Sequence, residues 1–192
     1  MRINYNSPVI LSFALLSLGT LGLGMLTNQV STMMLFSVYP GSPSDVLFYF
    51  RLFGHVLGHA SWEHYVNNFL LILIIGPMLE EKYGSEKMLI MILITAFVTG
   101  LASIIVSNNA LLGASGIVFM LILLSSFANF QKGKIPLTLI LVVIIYVGRE
   151  VMNGILVKDN ISQFAHIIGG ICGGTFGFAS WNKTGDKITK YI

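Results

Sequence analysis

The first residues in this chain with a type and spacing suited to chemistry are Gly113-Ala114-Ser115-Gly116. Here a serine lies between two glycines, where a polar turn meets the apolar run 117–124. A serine hydroxyl becomes a useful nucleophile only when an adjacent base takes its proton. Taken alone, the stretch is more typical of a membrane helix that begins with small residues for close packing. A catalytic interpretation therefore needs a base from elsewhere in the chain.

A histidine inside a later apolar run can supply that base. His166 is followed by Gly169, Gly173 and Gly177, a spacing of three and four that puts all four on one helix face. Because glycines let another backbone come close, this face packs on a neighbouring helix rather than on lipid. Histidine has the pKa of a general base, and the helix that carries Ser115 is the obvious neighbour. A purely structural His–Ser hydrogen bond between two helices is the alternative that stays open.

A third group contains residues that could bind an oxyanion. His64 and Asn68 are four residues apart and so share a helix face. Together with a backbone N–H, such side chains can stabilise the negative charge of a tetrahedral intermediate. No Asp or Glu lies in the outer half of any predicted span to orient His166. A hydrolase built from these residues would use a Ser-His dyad rather than a triad.

A zinc site has to be weighed, because His55 and His59 are also four residues apart. The glutamate of an H-E-x-x-H motif is missing, since residues 56–58 read Val-Leu-Gly. Zinc bound by these histidines and a third ligand would leave Ser115 and Asn68 unexplained. The sequence therefore favours chemistry at the serine.

Composition indicates which elements must position these residues. Of the 192 residues, 55% are hydrophobic and only 10% are charged, against about 25% charged in a soluble domain. The apolar runs are too long and continuous for the alternating strands of a membrane barrel. In lipid, the backbone hydrogen bonds must then be satisfied inside helices. The sequence predicts an all-α membrane protein, a six-helix bundle forming a single domain over residues 1–192.

The six predicted spans are separated by short polar connectors, except for a long first outer loop over about 28–62. A signal peptide is the alternative for the first span, but no small-x-small cleavage site follows it, which favours a retained helix. The aromatic residues and the arginine of the long loop suit a position at the membrane interface, and long loops are often functional. The predicted spans are about 8–26, 63–79, 87–107, 112–130, 135–155 and 162–181.

The basic residues predict the orientation of these spans. With the N-terminus in the cytoplasm, eight of the eleven Lys and Arg residues lie on the cytoplasmic side, and only Arg51, Arg149 and Lys158 lie outside. The positive-inside rule therefore selects cytoplasmic N- and C-termini for a multi-pass protein of the cell membrane (plasma or inner membrane). Ser115 and His166 then both lie at the outer ends of their helices, a result that the charge count did not assume.

These motifs, in this order, resemble those of the rhomboid family of intramembrane serine proteases. Residues 113–116 are similar to the family's G-x-S-G nucleophile motif, and residues 165–173 to its A-H-x-x-G-x-x-x-G base helix. The segment 59–68 resembles its H-x-x-x-x-H-x-x-x-N pattern, and residues 80–84 its E-x-x-x-G. The resemblance covers residues 51–177.

The resemblance implies a six-transmembrane rhomboid-like bundle and an endopeptidase that cleaves transmembrane segments near their outer ends. It implies Ser115 as the nucleophile and His166 as the general base. The oxyanion hole would consist of His64, Asn68 and the Ser115 amide. The implied partners are transmembrane protein substrates in the lipid bilayer, with no nucleic acid, no metal and no cofactor. The implied supporting residues are His59, Phe119, Gly113, Gly169, Gly173, Arg51 and Glu80.

Two residues depart from the family pattern. The first loop reads Phe50-Arg51 where the family often has Trp-Arg, and Phe119 stands where a tyrosine often packs on the catalytic histidine. A phenyl ring can still stack on imidazole, so we expect His166 to be held without a phenol nearby. By analogy, the fifth span (135–155) is the expected gate for substrate.

Two other classes of function remain as alternatives. A rhomboid-like protein that binds membrane helices without cutting them usually lacks the serine or the histidine, and this chain has both. A small transporter usually shows internal repeats and helices broken near the bilayer centre, and the sequence indicates neither. The polar residues cluster at one face instead, which favours chemistry over transport.

Overall fold

A computed structural model of the chain describes residues 5–127 and 160–188, and between these ranges only residues 137–138, 140–141, 144–145 and 148. The described residues form helices, turns and loops, with one isolated antiparallel bridge between Val38 and Leu111. The all-α prediction is confirmed for this part of the chain. The helices are α1 (Pro8–Leu26), α2 (Val30–Leu35), α3 (Val46–Gly54) with a 3-10 turn at His55–Leu57, α4 (Trp62–Tyr83), α5 (Ser85–Val106), α6 (Ser115–Ser126) and α7 (Asn160–Ile188).

Two of the described helices, α1 and α5, are long and apolar enough to cross a membrane. The predicted first span has the bounds of α1, the second lies inside α4, and the third overlaps α5. The last predicted span, 162–181, lies inside α7. Most of the predicted fifth span, 135–155, and of the gate assigned to it, lies outside the described residues, which include only 137–138, 140–141, 144–145 and 148 of it.

The N-terminus of α1 is capped by a residue from another helix. The Glu80 carboxylate, near the end of α4, accepts hydrogen bonds from the backbone N–H groups of Val9 (3.0 Å) and Ile10 (2.9 Å). The first N–H groups of a helix have no partner within it, and a carboxylate also interacts favourably with the positive end of the helix dipole. The Ser85 hydroxyl donates to the same carboxylate. Glu80 thus ties α1 to the junction between α4 and α5.

The long first loop contains more helix than the sequence predicted. After α1, Asn28 and Gln29 adopt left-handed backbone angles (φ 50° and 67°), which break the helix before α2. Further on, the Asp45 side chain accepts from the Leu47 N–H at 2.9 Å and caps α3. An aspartate before an apolar run is a typical N-terminal signal, and here it starts a helix among aromatics that we expected only to lie at the interface.

The fourth span also begins differently from its prediction. Residue 112 was expected to be its first, but α6 begins at Ser115. Gly113 has φ +118°, a value that favours glycine, and Leu111 pairs with Val38 of the first loop through two backbone hydrogen bonds of 2.9 Å. The segment before Ser115 is thus an extended turn anchored to that loop.

In the core, α6 and α7 are in direct backbone contact. A Cβ atom added to Gly169 would overlap the backbone carbonyl of Gly116, and one added to Gly173 would overlap the carbonyl of Met120. The predicted glycine stripe is therefore where the backbones of these two helices touch. The glycine stripe thus lets the N-terminal part of α6 pack directly against α7.

Candidate active site

Ser115 is the first residue of α6 and follows a turn held by another segment. The N–H of Gly113 donates to the carbonyl of His55 at 2.9 Å. The helix has no side-chain cap, because its N-cap residue is Ala114. The N–H groups of its first turn therefore keep their hydrogen-bonding capacity at the positive end of the helix dipole. This is an arrangement that can bind a developing oxyanion.

His166 lies beside the first turn of the same helix. Its imidazole is stacked on the ring of Phe119, with centroids 4.4 Å apart and planes within 5° of parallel. Phe119 is four residues after Ser115, so the two lie on the same face of α6. The expectation that a phenyl ring would hold the histidine agrees with this geometry. His166 and Ser115 are both half-buried.

Glycines allow α7 to pack closely against α6 near Ser115. Gly116, directly after the serine, is in contact with Gly169. A Cβ atom at Gly116 would lie 3.2 Å from the methyl group of Thr99 and 3.5 Å from the carbonyl oxygen of Ala165. The residue after the serine is therefore surrounded by α5 and α7, which leaves little room for a side chain.

His64 and Asn68 of α4 face the turn before Ser115. A Cβ atom at Gly113 would lie 2.7 Å from Nε2 of His64 and 3.8 Å from Nδ2 of Asn68. Glycine is required here twice over, by its backbone angle and by the histidine ring. The candidate oxyanion donors are thus adjacent to the turn that delivers Ser115.

His59 orients Asn68 through a defined pair of hydrogen bonds. Its Nδ1 lies 3.2 Å from the Leu57 carbonyl, which only accepts, so Nδ1 carries the proton. Its Nε2 then accepts from the Asn68 amide at 3.2 Å. Burial, with a smaller effect of His64, lowers the pKa of His59 from 6.5 to about 4, so the ring is neutral at physiological pH. This agrees with a supporting role for His59.

The same hydrogen bonds bear on the zinc alternative. Both ring nitrogens of His59 are used within the protein. In His55, Nε2 lies 3.0 Å from the carbonyl oxygen of Ala96 and donates to it. Within the described residues, no group of three His, Cys, Asp or Glu side chains is arranged around a common point. The two histidines have structural partners instead.

His55 has a role that the sequence did not reveal. Its carbonyl holds the Gly113 amide and its ring is bonded to α5, so one residue ties the first loop to the turn before Ser115. Burial lowers the pKa of His55 to about 4, against a weaker opposing effect of the bond to Ala96. A backbone contact of this kind has no signature in the sequence.

Arg51 fixes the outer part of the first loop. Its side chain is 5% exposed and forms a 2.7 Å ion pair with Asp45. It also donates to the Tyr39 hydroxyl and lies over the Tyr39 ring. The Leu47 N–H and then Arg51 lower the pKa of the Asp45 carboxyl. The neighbouring Phe50 is exposed and packs edge-on against another ring of the loop. Arg51 therefore forms these contacts although Phe50, and not the tryptophan often found in the family, precedes it.

One further polar group lies near the site. Within the described residues, the side-chain oxygen of Gln163 is buried without a hydrogen-bond partner. Gln163 precedes His166 by three residues and so lies about one turn from it on α7. A polar residue on the histidine's face was the available signal, and sequence reasoning missed it.

The sequence of this chain also matches known proteins. A family model described as "Rhomboid domain" matches residues 48–183, well over half of the chain. The chain is similar to "Rhomboid protease GlpG" of Haemophilus influenzae, with 30% identity over 92 residues that cover 48% of this chain and 46% of that protein. It is also similar to "RHOMBOID-like protein 4" of Arabidopsis thaliana, with 33% identity over 128 residues covering 62% of this chain and 31% of that protein. The matched segments span less than half of the length of either relative.

Proposed function

Because the chain belongs to the rhomboid family, we propose that it is an intramembrane serine endopeptidase that cleaves transmembrane segments of other membrane proteins. The observation that carries this proposal is the stacking of His166 on Phe119, one turn after Ser115. It supports a dyad in which a histidine is held beside the serine by packing, without an acidic third residue.

The proposed reaction is acyl transfer to Ser115. His166 takes the hydroxyl proton as Ser115 attacks the carbonyl carbon of the scissile peptide bond. The tetrahedral intermediate collapses, the C–N bond breaks, and His166 gives the proton to the leaving amine. Water then attacks the Ser115 ester with His166 again as the base, which releases the new carboxyl end and restores the serine.

The oxyanion of the intermediate would be bound by His64, Asn68 and the Ser115 amide. Three features support this assignment: the position of His64 and Asn68 beside Gly113, the hydrogen bond that orients Asn68, and the uncapped first turn of α6. Preorganised donors of this kind each contribute substantially, because they need no rearrangement as charge develops.

The test is labelling and cleavage by the full chain in liposomes. A fluorophosphonate should label Ser115 and block cleavage of a model single-span substrate, and EDTA should change neither. Ser115→Ala and His166→Ala should each abolish cleavage, and the double variant should be no worse, because a dyad acts as a unit. A folded protein that binds the substrate but neither cleaves it nor reacts with the probe would be a membrane-helix-binding protein instead.

We also propose that both termini lie in the cytoplasm and that Ser115 opens toward the outer side, as the distribution of Lys and Arg indicates. A reporter that is active only outside the cytoplasm should be inactive when fused after residue 192 and active when inserted in the first loop, near Ser42. The reverse result would overturn this orientation.

A further inference from the structure

An apolar cavity of about 470 Å³ lies between α1, α3 and α5. Its size falls within the range of about 300–1,000 Å³ that is typical of ligand sites. Val56 and Leu57 of the 3-10 turn line it, and Ser115 does not. Its lining includes Phe13 of α1, Phe50 and Phe53 of α3, and Leu89, Leu93 and Ala96 of α5.

The mouth of this cavity opens to hydrocarbon. Most of the exposed residues on its rim are large and apolar, among them Leu16, Phe53, Leu89 and Leu93; Ser12 is also exposed there. It lies between α1 and α5, the two described helices that can cross a membrane, in a protein of an integral membrane family. A molecule that enters from the side therefore comes from the bilayer.

The length of the cavity matches one leaflet. Its α1 wall runs from Pro8 to Leu16, a rise of roughly 12 Å. Half of the hydrocarbon core is about 15 Å thick. The α5 wall, from Leu89 to Ala96, starts near the N-terminus of that helix. The cavity therefore lies beside the N-terminal halves of α1 and α5, in the leaflet that contains the N-terminal ends of these helices.

The described lining is suited to a hydrocarbon chain and not to a more polar group. Its one hydroxyl-bearing side chain, Ser12, is 3.0 Å from the Tyr5 hydroxyl and hydrogen-bonded to it. Among the described residues, no Lys, Arg, His, Asp or Glu contributes to the wall. Water would need two to four polar partners to stay in such a site, whereas apolar cavities bind apolar molecules readily. A lipid headgroup would remain outside.

We infer that one acyl chain of a phospholipid, from the leaflet on the side of the α1 N-terminus, occupies this cavity as a bound lipid. The roof of the site continues from Phe53 into the 3-10 turn that contains His55. That residue holds the Gly113 amide, so the bound chain stabilises the segment that shapes the turn before Ser115. The binding itself does not depend on the proposed proteolysis.

The experiment uses the full chain in nanodiscs made with a phospholipid that carries a diazirine in the middle of one acyl chain. After irradiation, cross-links are mapped by mass spectrometry. We expect them to concentrate at Phe53, Leu89 and Ala96. Equal cross-linking of exposed apolar residues that do not line the cavity, such as Leu15 and Ile105, would show bulk lipid only and overturn the inference.

A matched pair of variants tests whether the cavity itself is responsible. Leu93 and Ile94 are adjacent on α5 and both 43% exposed, but only Leu93 lines the cavity. Leu93→Trp should lower cross-linking at Phe53 and Leu89 several-fold, and Ile94→Trp should not. If Leu93→Trp does not fold, Ser12→Phe fills the same space from α1, with Leu15→Phe as its control. Unchanged cross-linking in a folded cavity variant would refute the site.

Retention of phospholipid gives a second readout. Wild type and Ile94→Trp, extracted in mild detergent, should keep a bound phospholipid in native mass spectrometry, and Leu93→Trp should lose most of it. Cleavage activity is measured in parallel. If Leu93→Trp lost the bound lipid but kept its activity, the lipid site would be supported and its link to Ser115 would be refuted. If wild type bound lipid but were inactive, only the proposed protease function would be contradicted.

Discussion

The imidazole of His166 lies flat on the ring of Phe119, with centroids 4.4 Å apart. The two residues belong to different helices, and the contact is available because Gly169 lets α7 touch the backbone of α6 at Gly116. The orientation of the proposed base therefore depends on an apolar ring and a backbone contact, both of which can be altered without replacing Ser115 or His166.

Replacing Phe119 should change the rate through the position of His166. Phe119→Tyr keeps the ring and should stay close to wild type. Phe119→Ala removes a stacking contact worth about 0.5–1.5 kcal/mol, and a shift of the imidazole by about 1 Å can lower the rate on the order of 10²-fold. The measurements are kcat and KM in liposomes, where we expect kcat to fall and KM to change little. Ile171→Ala, at an exposed position of α7, is the control, and an equal loss there would contradict the argument.

Closing the contact between α6 and α7 should cost both stability and activity. Gly169→Val places a side chain where the Gly116 carbonyl lies, and overpacking of this kind costs typically 1–3 kcal/mol. Gly174→Val is the matched control, because no described atom outside the backbone of its own helix turn lies within 4 Å of a Cβ atom at Gly174. Thermal unfolding in detergent and cleavage are measured for both variants. A Gly169→Val protein as stable and active as Gly174→Val would show that the helices do not meet as described.

The oxyanion assignment predicts losses in turnover rather than in binding. His64→Ala or Asn68→Ala should each lower kcat on the order of 10²–10³-fold if each donates one hydrogen bond to the intermediate. Substrate affinity, measured in a Ser115→Ala background, should hardly change. An equal loss of affinity would identify these side chains as substrate contacts or structural clamps.

Acid should destabilise the fold through the buried histidines. The unfolded chain binds protons at His55 and His59 below pH 6.5, whereas the folded protein does not until about pH 4. Stability from this source is therefore fully present above pH 6.5 and is lost as the pH falls from 6.5 toward 4. The melting temperature should decrease over that window, and less steeply in His55→Gln, which keeps a donor for the Ala96 carbonyl. Tyr49→Gln, an exposed change on α3, should leave the slope unchanged. If the melting temperatures of wild type and His55→Gln decreased equally with pH, protonation of His55 would not be a cause of the acid destabilisation.

The helices that carry Ser115 and His166, and the glycine stripe between them, could be predicted because their sequence signals are local. The spacing of His166, Gly169 and Gly173 defines a helix face without any knowledge of the partner. The composition was sufficient for the all-α fold. The start of α6 was placed three residues early, because an apolar count does not register that Gly113 adopts a positive φ.

Contacts made through the backbone could not be predicted in this way. The hydrogen bond from Gly113 to the His55 carbonyl joins residues 58 positions apart (113 minus 55), and any residue type at 55 presents the same carbonyl. For α3 the signal was present in Asp45, but the aromatic density of the segment favoured an interfacial loop. Side-chain chemistry was thus easier to predict than the backbone geometry that supports it.

The carboxylate that caps α1 also sets an order of events during synthesis. Glu80 lies 70 residues after Ile10 in the chain, which corresponds to roughly 4 to 14 seconds of translation at about 5–20 residues per second. Throughout that interval the nascent α1 has no partner for the amides of its first turn. It can enter the bilayer early, but this contact forms only once the end of α4 has left the ribosome, so α1 is fixed in place no earlier than α4.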